Sequence, residues 1–237
     1  MSELKQIIRT GAVEVNTINT SVPTTFNASE SIETRSPFFL LTEFLAPVAL
    51  VVAVVLVIQI DVRLLGNTLR ENSMTEFFQG ALVIFSALVF AMRARRETRS
   101  RGYLVIGATL FACMFIREND GMLDHVQHGF WIIPAAVVAL LGGFSAYFWR
   151  DSIKEPFMHH FETRETTFIF IGLLVLLVFS RLFGTGSLWQ PVMGEGYDTS
   201  FKTVVQEGLE LLGYSLIAYG AVRSGAYCEQ AGAPMTS

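Results

Sequence analysis

The chain has 237 residues, of which 51% are hydrophobic and 16% charged, and its mean hydropathy is +0.46. So apolar a balance excludes an ordinary soluble domain and predicts an all-α polytopic membrane protein whose first partner is the lipid bilayer. The net charge of −4 leaves no basic field, which excludes nucleic acid as a partner. Two cysteines are too few for a disulfide framework. Cys113 falls in an apolar run and Cys228 in the polar C-terminal tail, so no bond between them is expected.

Residues 1–36 are rich in Ser, Thr, Asn and charge. They lack the apolar core of roughly 7–15 residues that a cleavable signal peptide needs, and are expected to form a disordered cytoplasmic tail. Six segments follow, at 38–60, 74–93, 102–118, 129–149, 166–183 and 201–223. Each approaches the ~20 apolar residues that cross a ~30 Å hydrocarbon core. The third is the weakest, with a clean run only from Tyr103 to Ile116, about 21 Å of helix. Together they predict a bundle of about six transmembrane helices over 37–225, followed by a C-terminal tail at 226–237. Six crossings put both termini on one side. Of the 17 Lys and Arg residues, twelve fall on that side and five on the other, which predicts cytoplasmic termini. Trp149 at the inner boundary and Trp131 and Trp189 near the outer one suit rings at headgroup level.

Under this topology the ionisable residues converge on the outer ends of the helices. Glu76 and Gln79 open the second segment, and Arg117, Glu118, Asp120, Asp124, His125 and His128 fill the connection from the third to the fourth. Arg181 closes the fifth, while Glu207, Glu210 and Tyr214 lie in the outer turns of the sixth. Residues three and four apart share a helix face, so Glu207, Glu210 and Tyr214 form one stripe. Glu210 lies roughly 14 Å below the start of its helix, a depth at which an ionisable residue is functional by default. If 117–128 is helical, Arg117, Asp120, Asp124 and His128 make a second stripe. Alternatively Asn119-Asp120-Gly121 breaks the helix, and irregular backbone at that depth would itself line a cavity.

Three chemistries suit these residue types. His125, His128, Asp124, Asp120 and Glu210 are adequate ligands for a divalent metal, Zn²⁺ or an Fe/Mn pair. Glu76, Glu118, Glu207 and Arg117 would then be catalytic, with Arg181, Tyr214 and Gln79 contacting the substrate. This predicts a metal-dependent hydrolase acting on a lipid or amphipathic substrate. The spacing matches no known metal motif, since 125–128 reads His-Val-Gln-His and 207–210 reads Glu-Gly-Leu-Glu. The second chemistry is a proton-coupled transporter or sensor in which the same carboxylates and a histidine exchange protons. The third is a structural or accessory subunit in which Arg117 and Arg181 neutralise the acids and fix helix register.

Other polar residues carry less. His159 and His160 fall in the inner loop, across the bilayer from His125 and His128, and read as headgroup-level side chains. The arginine-rich run 93–101 reads as an orientation signal with a capacity for anionic headgroups. Glu43 stands alone near the inner interface, and Ser180 beside Arg181 has no evident base. The outer loop 184–200 carries four glycines and reads as a connector with the reach to cap the constellation.

The pattern of Glu76-x-x-Gln79, Arg117-Glu118-x-Asp120 with Asp124, and Glu207-x-x-Glu210 resembles small multi-pass proteins of bacterial inner membranes. That resemblance covers much of the helical region and implies a location, with no activity. The constellation is also similar to the ceramidase-like superfamily of membrane metal hydrolases, which places His and Asp at helix ends around zinc. That family's pattern needs three histidines, a serine and an aspartate. Here two histidines share a side and no serine is matched, so the resemblance implies a reaction type and no residue roles.

Overall fold

A computed structural model describes residues 37–66, 73–161 and 163–231. The tail at 1–36, Arg70, and the side chains of Glu43, His160 and Cys228 lie outside the described residues. The chain divides into two units, Met1–Leu41 and Thr42–Ser237, and the account below concerns the second.

Among the described residues every regular element is helical. In chain order they are α1 (Pro37–Gln59, continued by a π turn Ile60–Leu64), α2 (Met74–Arg96), α3 (Arg101–Glu118) and α4 (Ile132–Phe148). Then come α5 (Lys154–Phe161), α6 (Arg164–Leu174, prolonged through Val175–Phe179 and Ser180–Phe183), α7 (Gly186–Met193) and α8 (Thr199–Ala231). Each of the six apolar segments of the sequence therefore coincides with a helical stretch, the fourth starting at Ile132 and not at 129. Four stretches, Phe44–Leu64, Met74–Arg96, Thr98–Glu118 and Thr166–Phe183, are long and apolar enough to cross a membrane. Ile132–Phe148 makes a fifth if joined to Arg150–His159, from which it is bent by 92°.

α8 is the longest helix but is absent from that apolar set. Its neighbours explain this. α8 packs against both α2 and α6, and Leu211, Tyr214, Ile217, Ala218 and Ala221 are all buried. A helix shielded by other helices need not be apolar all round. It also continues to Ala231, past position 226 where the sequence places the start of the C-terminal tail. At the end of α3 the second alternative holds: Asn119 interrupts the helix, and Asp120–Leu123 forms a single separate turn.

Contacts between elements give the order α6, α8, α2, α3, α4. Val83, Ala87 and Phe90 of α2, Leu104 and Phe111 of α3, Ile169 of α6, and Tyr214 and Ile217 of α8 make one continuous core. α6 and α8 touch backbone to backbone, since a Cβ added to Gly172 would stand 2.7 Å from the carbonyl oxygen of Gly213. Such small-residue contacts allow close helix packing without a long side chain to order. The outward faces are apolar instead of charged: Val48, Val51, Val52 and Val55 of α1 and Val137, Leu140, Leu141 and Phe144 of α4 are exposed. Contiguous apolar surface of this kind is costly in water and suits lipid.

α2 and α8 run parallel and are tied at both ends. At one end the Gln79 amide donates to Glu207, and at the other the Arg93 guanidinium donates to Ser224 Oγ at 2.7 Å. Arg93 is buried and also holds Glu97 through two hydrogen bonds, at 2.8 and 3.2 Å. Within the arginine-rich run, this residue therefore also serves as a structural tie between α2 and α8. α1 is held differently. The fully buried Asp61 accepts from Met74 N at 3.0 Å, Thr75 N at 2.8 Å and Thr75 Oγ1 at 2.6 Å. Its carboxylate thereby caps the first turn of α2, where free N–H groups and the helix dipole both favour an anion. α1 also meets α8 where Ile58 packs on Gly208, and beside that contact an apolar groove of about 600 Å³ opens between α1, α2 and α8, lined by Val54, Val57, Phe78, Leu82 and Leu211.

Candidate functional site

The N-terminus of α2 begins with Ser73-Met-Thr-Glu76. Ser73 is extended at the N-cap and its Oγ accepts from Glu76 N at 3.1 Å, half of a capping box. This sets the first turn of α2 and so aims Gln79, one turn further, at α8. The Gln79 Nε2 donates to the Glu207 backbone oxygen at 3.0 Å and to Glu207 Oε2 at 3.1 Å. Two acceptors on that side fix the orientation of the amide, because the flipped form would face oxygen with oxygen. Its Oε1 is buried and has no hydrogen-bond donor among the described residues.

Along α8 the polar side chains form a stripe that reaches a different helix at each step. Glu207 meets α2 through Gln79. Glu210, buried, accepts from Gln206 Nε2 at 3.1 Å and lies 3.8 Å from the Arg181 guanidinium at the end of α6. Tyr214, also buried, donates its hydroxyl to Glu118 Oε2 at 2.7 Å at the end of α3. Glu118 and Glu207 each feel the charges of Glu210 and Glu76, and Arg117 acts on Glu118. Four carboxylates from three helices thus share one end of the bundle with two guanidiniums. Arg181 is about half exposed (48%), so its attraction for Glu210 is diluted by its surroundings. Every direct partner of these carboxylates named here is a neutral donor or an arginine at the edge.

Of the residues expected at the site, the fold brings together Glu76, Gln79, Glu118, Glu207, Glu210, Tyr214, Arg117 and Arg181. The second group stands differently. His128 is fully exposed and its Nδ1 pairs with Asp124 at 3.0 Å. His125 is exposed and its Nδ1 meets the Gly121 oxygen at 2.9 Å. Asp124 also accepts from Gly129 N at 2.9 Å, which makes it a clasp of its own loop. Among the described residues no group of three or more His, Cys, Asp or Glu side chains is placed to hold a metal ion. Ser180 is buried and donates to the Leu176 oxygen, a backbone contact. The loop after α6 is tied down by Trp189, whose ring packs edge-on against Phe201 at 5.4 Å and whose Nε1 donates to the Phe183 oxygen. That places α7 beside the start of α8.

Two contributors were not among the expected site residues. Gln206 stands one turn before Glu210, a spacing at which side chains meet on a helix surface. Asp61 falls just past the end of the first apolar segment, 38–60. Its signal was the S-x-x-E start of α2 at Ser73–Glu76, which marks a helix N-terminus in need of acceptors.

Fold and site together define a class: a protein all-helical in its described residues, with four or five helices of membrane-crossing length and, at one end of them, a partly buried carboxylate cluster centred on the buried Glu210. Comparison with protein-family models, curated proteins and solved structures gives no match.

Proposed function

We propose that the chain is a six-span protein of a bacterial inner membrane with cytoplasmic termini, and that its carboxylate cluster takes up and releases protons in a proton-coupled transporter or sensor. The observation that carries the reading is charge balance. The charges acting on Glu207 come from three other acids, Glu76, Glu118 and Glu210, while Arg117 acts on Glu118 and Arg181 lies beside Glu210, which is buried. Unbalanced like charges in a poorly solvated site are resolved by protons or by a bound cation. A cluster that shares fewer protons than it has carboxylates titrates as a unit.

The neighbours suit this role. Tyr214 and Gln206 hold Glu118 and Glu210 in place through neutral hydrogen bonds, contacts that do not oblige the acids to remain charged. The unfilled Gln79 Oε1 is an acceptor for a water or a protonated group at the same place. A metal-dependent hydrolase acting on a lipid would draw ligands from this cluster together with His125 and His128. The exposure of both histidines favours the proton reading.

The test uses protein reconstituted in vesicles containing a pH-sensitive dye. An imposed pH gradient or membrane potential is expected to drive proton movement or a conformational signal in the wild type. Glu210→Gln, which keeps size and hydrogen bonding, is expected to abolish it. Unchanged response in Glu210→Gln, Glu118→Gln and Glu207→Gln together would refute the reading, and stoichiometric Zn, Fe or Mn in the purified protein would return the hydrolase to first place.

A further inference from the structure

At the opposite end of α2 and α3 from the carboxylates lies a second groove, of about 430 Å³. Ala91, Ala94 and Arg95 line it from α2, Arg101, Val105, Ala108 and Thr109 from α3, and Trp149 closes it at the end of α4. The spacings 91, 94, 95 and 101, 105, 108 each trace one helix face, so the groove follows both helices. Measured along α3, Ala108 lies about 10 Å from Arg101. Its floor is apolar: Ala91, Val105 and Ala108 line it, and the Thr109 hydroxyl is taken up by the Val105 oxygen at 2.7 Å while its side chain rests against Gly142 of α4.

The mouth is cationic. Among the five arginines between 93 and 101, Arg93 is occupied by Glu97 and Ser224, and Arg99 pairs with Glu155 at 2.8 Å. Arg101 is positioned without being neutralised. Its Nε donates to the Ala94 oxygen at 3.0 Å, and its guanidinium lies 5.4 Å above the Trp149 ring. Neither contact is with a carboxylate, and the guanidinium keeps further N–H donors. Arg95, across the mouth, is exposed. Trp149 is the kind of ring that sits at headgroup level.

We infer that this groove binds an anionic phospholipid, with the phosphate between Arg95 and Arg101 and one acyl chain running over Ala91, Val105 and Ala108. The charge complementarity is specific: two guanidiniums favour a phosphate, and the apolar floor suits an acyl chain where a free inorganic anion gains nothing. The inference rests on the membrane reading of the chain but not on the carboxylate site.

The experiment is native mass spectrometry of the full chain in detergent after delipidation, titrated with phosphatidylglycerol, phosphatidylcholine or inorganic phosphate. One tightly held phosphatidylglycerol is expected, with phosphatidylcholine weaker. Arg95→Gln is expected to weaken phosphatidylglycerol roughly fivefold, and Arg95→Gln with Arg101→Gln roughly thirtyfold. Arg96→Gln, outside the groove, is expected to change nothing. Ala108→Phe fills the floor and is expected to remove lipid binding with both arginines present. Equal binding of the two lipids, or no effect of Arg95→Gln, which removes an exposed side chain and leaves the fold intact, would overturn the inference. Inorganic phosphate binding as tightly as the lipid, with Ala108→Phe inert, would also overturn it and leave a plain anion site. A chain that purified from the soluble fraction would instead refute the membrane reading itself.

Discussion

Asp61→Ala should loosen α1 from the rest of the bundle. The fully buried carboxylate accepts three hydrogen bonds, from Met74 N, Thr75 N and Thr75 Oγ1. Loss of an N-cap acceptor costs about 0.5–2 kcal/mol, and stranding a buried N–H costs about 1–3 kcal/mol. Because water reaches part of the vacated space, the two add incompletely, and roughly 3 kcal/mol is expected. That corresponds to a fall of about 6–12 °C in the thermal midpoint for a chain of this size, read by intrinsic fluorescence in detergent. Asp61→Asn keeps one oxygen and should lose about half as much. Since α1 otherwise meets α8 through Ile58 on Gly208 and borders an apolar groove, hydrogen exchange should rise in 60–66 and 73–77 before it rises in α8. A midpoint within ~1 °C of wild type for Asp61→Ala, or exchange rising first in α8, would refute the argument that this carboxylate anchors α1.

Arg93→Ala should cost about 3–5 kcal/mol, because it leaves Glu97 without its two-pronged partner and Ser224 without its donor at a buried helix junction; the check is the same melting assay, with Arg93→Lys recovering only part. Arg99→Ala should change the midpoint by less than the ~0.5 kcal/mol equivalent, since its pair with Glu155 is exposed at both ends. Gly172→Val should block the close approach of α6 and α8 at the Gly213 carbonyl and cost at least ~2 kcal/mol, seen as loss of monodisperse protein on size exclusion. Tyr214→Phe removes the donor to Glu118 while keeping the buried ring; it should cost about 1–2 kcal/mol and alter the proton response of the reconstituted protein without abolishing it.

Helix positions were legible because an apolar segment of ~20 residues reads the same in one dimension as in three. The outward apolar faces of α1 and α4 follow from that directly. α8 was recognisable as a helix, but its centrality was not, since what makes it tolerant of Glu207, Glu210 and Tyr214 is cover from α2 and α6. The helical stripe of α8 was visible from its spacing. The partner each member chose was not: that Gln79 serves Glu207 and Tyr214 serves Glu118 depends on how three helices rotate about their axes. The histidines were drawn towards the carboxylates by residue type alone. The break at Asn119 and the clasp of Asp124 on Gly129 instead turn that loop upon itself. Asp61 escaped notice because its partners lie 13 and 14 residues away, beyond any local periodicity.

The central claim is that the cluster around Glu210 exchanges protons, and a direct proton count tests it. Purified protein in weakly buffered detergent would be stepped from about pH 5 to about pH 9 and the protons released compared with those from the Glu118→Gln, Glu207→Gln, Glu210→Gln variant, after both are shown to melt alike. The account predicts that the wild type releases about one to two more protons per chain than the variant over that interval, since Glu118 and Glu207 each stand among other acids. Equal release from the two proteins would contradict it, leaving the carboxylates as fixed members of a structural charge network.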